Sequence, residues 1–449
     1  MDVDTIETEA IQHLRALIRF DTTNPPGNER AAADYVAAVG QAAGLPSIVL
    51  DSAPGRGNAI VRLPGRGIGK PIVLLGHLDT VPAEPDHWTH SPWSGALEDG
   101  CIWGRGAIDS KLTIAVGLTA MLALARTGVT LRRDVILCAT ASEEMAGPAN
   151  GAAWLAANRR DLIEGEYIIS EHGGFCIDVG GRTYYTIQTA EKGGCNADLV
   201  ASGAPGHASV PHDNNAIHKL ARALIALERN PMPLRVTQTM RAFVDTIASD
   251  HDAHGSPEVA ITMRELLDPT RQVAALKRLP VDDGLRRTID AMLRNTATPT
   301  ILQSGTKRNV IPSRATAQLS GRPLPGVSPE DFTVELRVAV GSTVDVVVNE
   351  FVPALEHEID VGFARAASQA LRRHDPRALT VPLMMPLGTD AKRLTDLHTR
   401  IYGFVPMVHE PTLDYMSLCH GHDERCSVRS LVFGVQVIRD LVSELAAAP

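Results

Sequence analysis

The chain has 449 residues, 44% hydrophobic and 21% charged, with 43 Lys and Arg against 52 Asp and Glu for a formal net charge of −9. That composition excludes a disordered, collagenous or coiled-coil chain, and the acidic balance argues against a nucleic-acid-binding protein. No apolar run approaches the roughly 18 residues of a membrane span, the first ten residues lack an apolar leader core, and the six cysteines show no CxxC spacing, so a cytoplasmic protein of two or three domains with no membrane partner is expected.

Residues 4–20 have the spacing of an amphipathic helix, with Ile6, Ala10, Ile11, Leu14, Leu17 and Ile18 on one face. TTNPPGNE (22–29) breaks it, and 31–44 reads as a second helix ended by Gly44. The apolar core Ile72–Leu75, the run DVILCATAS (134–142) and EYIIS (166–170) read as buried strands, and 110–128 as a helix. Strands alternating with helices imply βαβ units and a mostly parallel sheet. Near residue 191 the pattern changes. Residues 196–203 alternate like a half-exposed strand, a helix follows at about 214–229, and 230–297 is mixed, with helical periodicity in PVDDGLRRTIDAMLRN. Two alternating strands, TPTILQSG and ATAQLSGRPL, a helix start at SPEDF and the strand TVDVVVNE complete a β-α-β-β-α-β order. The chain closes with an amphipathic helix over 427–446. The expected fold is an α/β domain with a mostly parallel sheet and helices on both faces, built from 1–190 and 354–449. An α+β, ferredoxin-like domain over 191–353 is inserted into it.

In open α/β sheets ligands sit beyond the carboxyl ends of the strands. His77 and Asp79 follow one strand, Glu143 and Glu144 a second, and Glu171 a third, while Asp109 precedes a helix and His420 lies in CHGHDER. Imidazole and carboxylate suit Zn²⁺, Mn²⁺ or Co²⁺, and a shared carboxylate such as Asp109 relieves the repulsion between two close ions. Asp79, two residues after His77, suits a carboxylate that orients the ring. Adjacent Glu143 and Glu144 point different ways, so one can bind metal while the other serves as general base. Taken singly each signal is weak, since an Asp before a helix is ordinarily an N-cap and a Glu-Glu pair a solvated helix start. Their joint placement at strand ends is what makes chemistry the better reading.

Nine strings, TTNPPGNE, LLGHLDTVP, DGCIWGRGAIDSK, TASEEMAG, YIISEHGG, GAPGHAS, RNVIPS, PLGTDAK and HGHDER, run from residue 22 to 425. As an ordered set they resemble the di-zinc amidohydrolases of the aminoacylase-1, carboxypeptidase G, acetylornithine deacetylase and succinyl-diaminopimelate desuccinylase family. The resemblance implies two divalent ions, most readily Zn²⁺, with Co²⁺ or Mn²⁺ as alternatives. His77, Asp109 and Glu171 would hold one, and Asp109, Glu144 and His420 the other. Asp79 would orient His77, and Glu143 would be the general base that activates the bridging water and passes its proton to the leaving amine. It also implies a cis bond at Asp109–Ser110. The inserted domain would be a lid whose His207 stabilises the tetrahedral oxyanion, reaching across the interface in dimeric members. Asn309 and Arg322 would grip the substrate carboxylate, and Gly388 with Thr389 would close that pocket. HGHDER holds two histidines, and geometry alone does not choose between His420 and His422.

The expected activity is hydrolysis of an amide bond next to a free carboxylate, in N-acyl amino acids or short peptides. An aminopeptidase-type dipeptidase on the same metal core and a non-catalytic relative are the alternatives. A nucleotide-dependent enzyme is disfavoured: GRGIGK (65–70) precedes its strand and lacks Ser or Thr after the lysine. Ser320 and Gly321 before Arg322, with Ser110 and Leu112 beside Asp109, depart from the common pattern of the family without touching the expected ligands.

Overall fold

The computed structural model describes residues 3–145, 147–410, 412–413 and 415–447. The chain falls into two compact units. Met1–Thr189, Ile359–Pro382 and Thr389–Pro449 form the first, and Ala190–Glu358 with Leu383–Gly388 the second.

The first unit is built on a sheet in which Ser47–Asp51, Gly57–Leu63, Val135–Thr140, Ile72–His77, Tyr167–Ser170 and Arg400–Gly403 lie side by side. The last four run parallel to one another. The first two add an antiparallel edge. Every residue of Ile72–His77 and Val135–Thr140 is buried, which is why both read as apolar runs rather than as alternating strands. The Lys111–Thr127 helix is buried on all sides from Lys111 to Leu124, packing on the Ile72–His77 strand and against the Val3–Ile18 and Val428–Ala447 helices. It stops at Gly128, whose φ of 65° is left-handed and free of a Cβ penalty. A small antiparallel sheet joins Ala96–Glu98, Cys101–Trp103 and Arg425–Ser427. It ties the loop before Asp109 to the loop after His420.

In the second unit the strands lie in the order Thr296–Ser304, Arg314–Arg322, Gly194–Ser202, Asp345–Val352, all antiparallel. The chain-order first strand sits between the third and the fourth, the ferredoxin-like arrangement, with the Ala216–Arg229 and Pro329–Val340 helices packed on it. The mixed stretch resolves into four helices, Gln238–His254, Pro257–Glu265, Gln272–Arg278 and Asp283–Met292. Among the described residues no helix is long and apolar enough to cross a membrane.

Candidate active site

The parallel strands end together, and their carboxyl ends deliver the site. His77 is the last residue of its strand, and its ring Nδ1 is held by the Asp79 carbonyl at 2.9 Å. That bond places a proton on Nδ1 and turns Nε2 towards Asp109 Oδ1, 3.0 Å away, and Glu171 Oε2, 3.3 Å away. The other oxygen of Asp109, Oδ2, lies 3.1 Å from His420 Nε2, which is also 3.1 Å from Glu144 Oε1. One carboxylate is therefore shared between two sets, His77 with Glu171 and His420 with Glu144. The second histidine of HGHDER goes elsewhere: His422 faces Glu84 at 3.4 Å and stacks on His87.

Asp79 does more than hold a ring. Its carboxylate stands 3.5 Å from His77 Nδ1, farther than its own carbonyl. Its two oxygens instead accept the backbone N–H groups of Glu143 and Glu144 at 3.0 and 3.1 Å, and one also accepts from Asn24 Nδ2 at 2.8 Å. It thus fixes the turn that carries the expected base. The far side of that turn is held by Asn150, whose Nδ2 donates to the Ser142 carbonyl and to Asp390. Ser142 itself has a φ of 62°.

Asp109 is positioned just as firmly. Its N–H and that of Ile108 donate to Glu424 Oε1, while Glu424 Oε2 accepts from Gly106 N–H and from Arg105 at 2.7 Å. Arg105 also donates to the carbonyl of His420. Glu424 and Arg105 are buried, and they join segments 315 residues apart in sequence at Asp109 and Glu424. The Asp109–Ser110 bond is cis, and Ser110 Oγ accepts the His77 N–H. Sequence reading passed over Asn24, Arg105, Asn150, Asp390 and Glu424. Four of them sit inside strings it had singled out, and only their partners could have shown that they act.

The electrostatics are those of an anionic cluster. Burial pushes the Glu143 carboxyl well up, partly opposed by His77 and reinforced by Glu171, Asp390 and Glu144. Burial raises Glu171 too. Burial disfavours charge on His77, yet Glu171, Asp109 and Asp79 together hold its pKa well above the ordinary histidine value. Glu171 Oε2 is buried and makes no hydrogen bond, with only the His77 ring 3.3 Å away to offset its charge. An ion bonded at about 2.0–2.1 Å in a tetrahedral shell has ligand atoms about 3.3 Å apart. The separations of 3.0 and 3.3 Å in one set and 3.1 and 3.1 Å in the other match those edges. The residues present therefore fit two divalent ions.

One consequence is measurable. Hydrogen bonds to Asp109 and Glu144 pull the His420 pKa up to about 10, so a proton on that ring competes with an ion. Apparent metal affinity is expected to rise from pH 7 towards 10, by up to about tenfold per pH unit for each proton displaced. Calorimetric titration in buffers of different ionisation heats should show proton release. A flat affinity across that window would refute the competition.

The second unit carries the remaining candidates. His207 and Val310 pair in a short antiparallel ladder, and the Asn309 carbonyl accepts the Ala208 N–H at 3.1 Å. The Ser209 N–H, which can only donate, points at His207 Nδ1 at 3.2 Å, so in the neutral ring the proton resides on Nε2. Arg322 ends its strand opposite Thr296. Gly388 closes the segment Leu383–Gly388 of this unit. Thr389 belongs to the first unit, where its Oγ1 accepts the Ala391 N–H and caps a short helix that starts at Asp390.

The sequence pattern of peptidase family M20/M25/M40 matches residues 73–444, most of the chain. The chain belongs to that family. Its strand ends, from His77 to the segment after His420, fall within the matched residues. Among family relatives, probable carboxypeptidase S-like 2 of Dictyostelium discoideum is 28% identical over 80% of this chain and 69% of its own length. The human N-fatty-acyl-amino acid synthase/hydrolase PM20D1 is also 28% identical, over 83% of this chain and 74% of its own. The fold is similar to that of the M20 family metallo-carboxypeptidase Sso-CP2 from Sulfolobus solfataricus, with a TM-score of 0.68 at 18% identity over 99% of each chain. A hydrolase of peptidase family M20 is thereby established, with an α/β first unit and a ferredoxin-like α+β second unit.

Proposed function

We propose that this M20 hydrolase cleaves an amide bond adjacent to a free carboxylate, in N-acyl amino acids or short peptides. The observation that carries the reading is the sharing of Asp109 between two histidine–carboxylate sets, with Glu143 beside them on a turn anchored by Asp79. His77, Asp109 and Glu171 would hold one divalent ion, and His420, Asp109 and Glu144 the other, Zn²⁺ being the best match to this donor set. Such ions supply Lewis acidity towards the scissile carbonyl and lower the pKa of water. Glu143 takes a proton from the attacking water and returns it to the leaving nitrogen, which breaks the C–N bond and releases carboxylate and amine. Burial raises the basicity of the Glu143 carboxyl, the direction that a proton-accepting role requires.

His207 keeps a proton on Nε2 and so serves as a donor to the oxyanion. His207→Ala is expected to lower kcat by about 10²–10³ with little change in KM. An unchanged kcat would remove it from the mechanism. Arg322 and Asn309 read the substrate carboxylate, Arg322 through the planar fork that matches it, with Gly388 and Thr389 closing the pocket. Two relatives named for a carboxypeptidase and for an N-acyl amino acid hydrolase support a substrate with that group.

The test is a hydrolysis screen of N-acyl amino acids and dipeptides, each as free acid and as carboxamide, with added Zn²⁺, Co²⁺ or Mn²⁺. Free acids should be cleaved and amides poorly. Equal cleavage of both would favour the aminopeptidase-type reading, and activity that survives thorough chelation would refute the class.

A further inference from the structure

The turn that follows Glu171 brings a sixth metal-type side chain to the cluster. His172 Nε2 lies 3.8 Å from Asp109 Oδ1, the same oxygen that faces His77 Nε2. Donor atoms of Asp109, Glu171 and His172 all fall within 4.8 Å of one another. The His172 side chain is only 10% exposed, and among the described residues its ring makes no hydrogen bond. It lines a small cavity with Ile108, Leu112, Thr113, Phe175, Met407 and Tyr415.

The backbone shows that the ring is placed, not loose. His172 has a φ of 56°, a left-handed conformation that glycine adopts freely and a side-chain-bearing residue rarely does. The two glycines that follow it are locked against the neighbouring segment. A Cβ on Gly173 would meet the Gly403 carbonyl at 2.1 Å, and the Gly173 and Gly174 carbonyls accept from Val405 and Met407. The turn therefore cannot relax without breaking the sheet edge, and it holds the imidazole towards Asp109. Strain of this kind persists where surrounding structure imposes it, and it concentrates at functional sites.

We infer that His172 is a ligand of the ion held by His77, Asp109 and Glu171, giving that ion two imidazoles and two carboxylates. The inference rests on the two-ion reading above and adds a residue to it. A second imidazole on one ion and a single imidazole on the other makes the two sites unequal. The His77 site becomes the tighter one, and the more selective for Zn²⁺ or Co²⁺ over Mn²⁺, because nitrogen donors suit the former. Glu171 Oε2, buried beside the His77 ring and without a hydrogen bond, marks the same position for an ion.

The experiment is titration of the metal-free full-length chain with Co²⁺, followed by its visible absorption and by competition with a chelator. His172→Gly is the chosen variant, because glycine fits the positive φ and cannot ligate. His172→Asn, which also tolerates that conformation, serves as a second variant, and thermal melting confirms folding of both. Wild type should bind two ions with distinct affinities. Both variants should still bind two, with the tighter affinity lowered at least tenfold, the Co²⁺ bands altered and the weaker site unchanged. Unaltered affinities and spectrum in either folded variant would overturn the assignment of His172 while leaving the two-ion reading intact. Fewer than two ions bound to wild type would overturn both.

Discussion

Glu143→Ala is expected to lower kcat by roughly 10²–10⁴ while the chain keeps its metal. The side chain is not needed to gather the donor atoms: the close pairs are made by His77, Asp109, Glu171, Glu144 and His420. The Glu143 N–H, which the substitution leaves in place, is what Asp79 holds. The turn and Glu144 should stay put, and the loss should fall on proton transfer alone. Metal analysis and steady-state kinetics on the same preparation separate the two effects. Near-normal turnover would sink the assignment of the base, and loss of metal would mean that Glu143 is a ligand. Glu143→Gln provides the same readout with the side-chain volume kept.

The second large effect concerns stability. Glu424→Ala removes one partner of a fully buried ion pair and four hydrogen bonds to its carboxylate, from Arg105 and from the N–H groups of Gly106, Ile108 and Asp109. An Arg105 charge left buried without its partner costs about 3–5 kcal/mol, a fall in Tm on the order of 10 °C. The loop that carries Asp109 loses its anchor at the same time, so metal affinity should fall with stability. Arg105→Met should be destabilising to a similar degree, and the double variant Glu424→Met with Arg105→Met much less than the sum, because neither charge is then stranded. Additive losses in the double variant would show that the pair is not the unit holding this loop. Thermal unfolding with and without added metal measures both terms.

These two residues also show where sequence reading stops. Glu143 could be singled out because it follows a buried strand beside a second Glu, in a string that resembles a known family. Glu424 stood four residues from His420 in a string read just as closely, yet it had no signal of its own. A buried carboxylate that accepts four donors from a distant loop looks, in one dimension, like any surface Glu. The same holds for Asn24 and Asn150. Their partners lie in other segments, and no local spacing records them. The edge strands Ser47–Asp51 and Gly57–Leu63 were missed for a related reason: the second is flanked by glycines and a proline that read as loop, and pairing with the Val135–Thr140 strand is what makes it a strand.

The sequence alone determined the buried parallel strands up to Tyr167–Ser170, the helices at both ends of the chain and the β-α-β-β-α-β order of the second unit. Apolar runs of strand length and helices closed by glycine are local properties, decided by burial on two faces and by backbone freedom. It also determined the chemical inventory, because imidazoles and carboxylates at strand ends suit only a few kinds of chemistry. Tertiary structure decided which of those groups meet. It selected His420 over His422, by pairing Cys101–Trp103 with Arg425–Ser427 so that the loop before the latter returns to Asp109. It gave the Asp79 carboxylate, 3.5 Å from the His77 ring, a further task as the anchor of the Glu143 turn. It placed His172, a residue of YIISEHGG to which the sequence had assigned no role, beside the shared carboxylate. Each of these depends on distances between segments far apart in the chain, and such distances are set by how the layers pack rather than by the residues on either side.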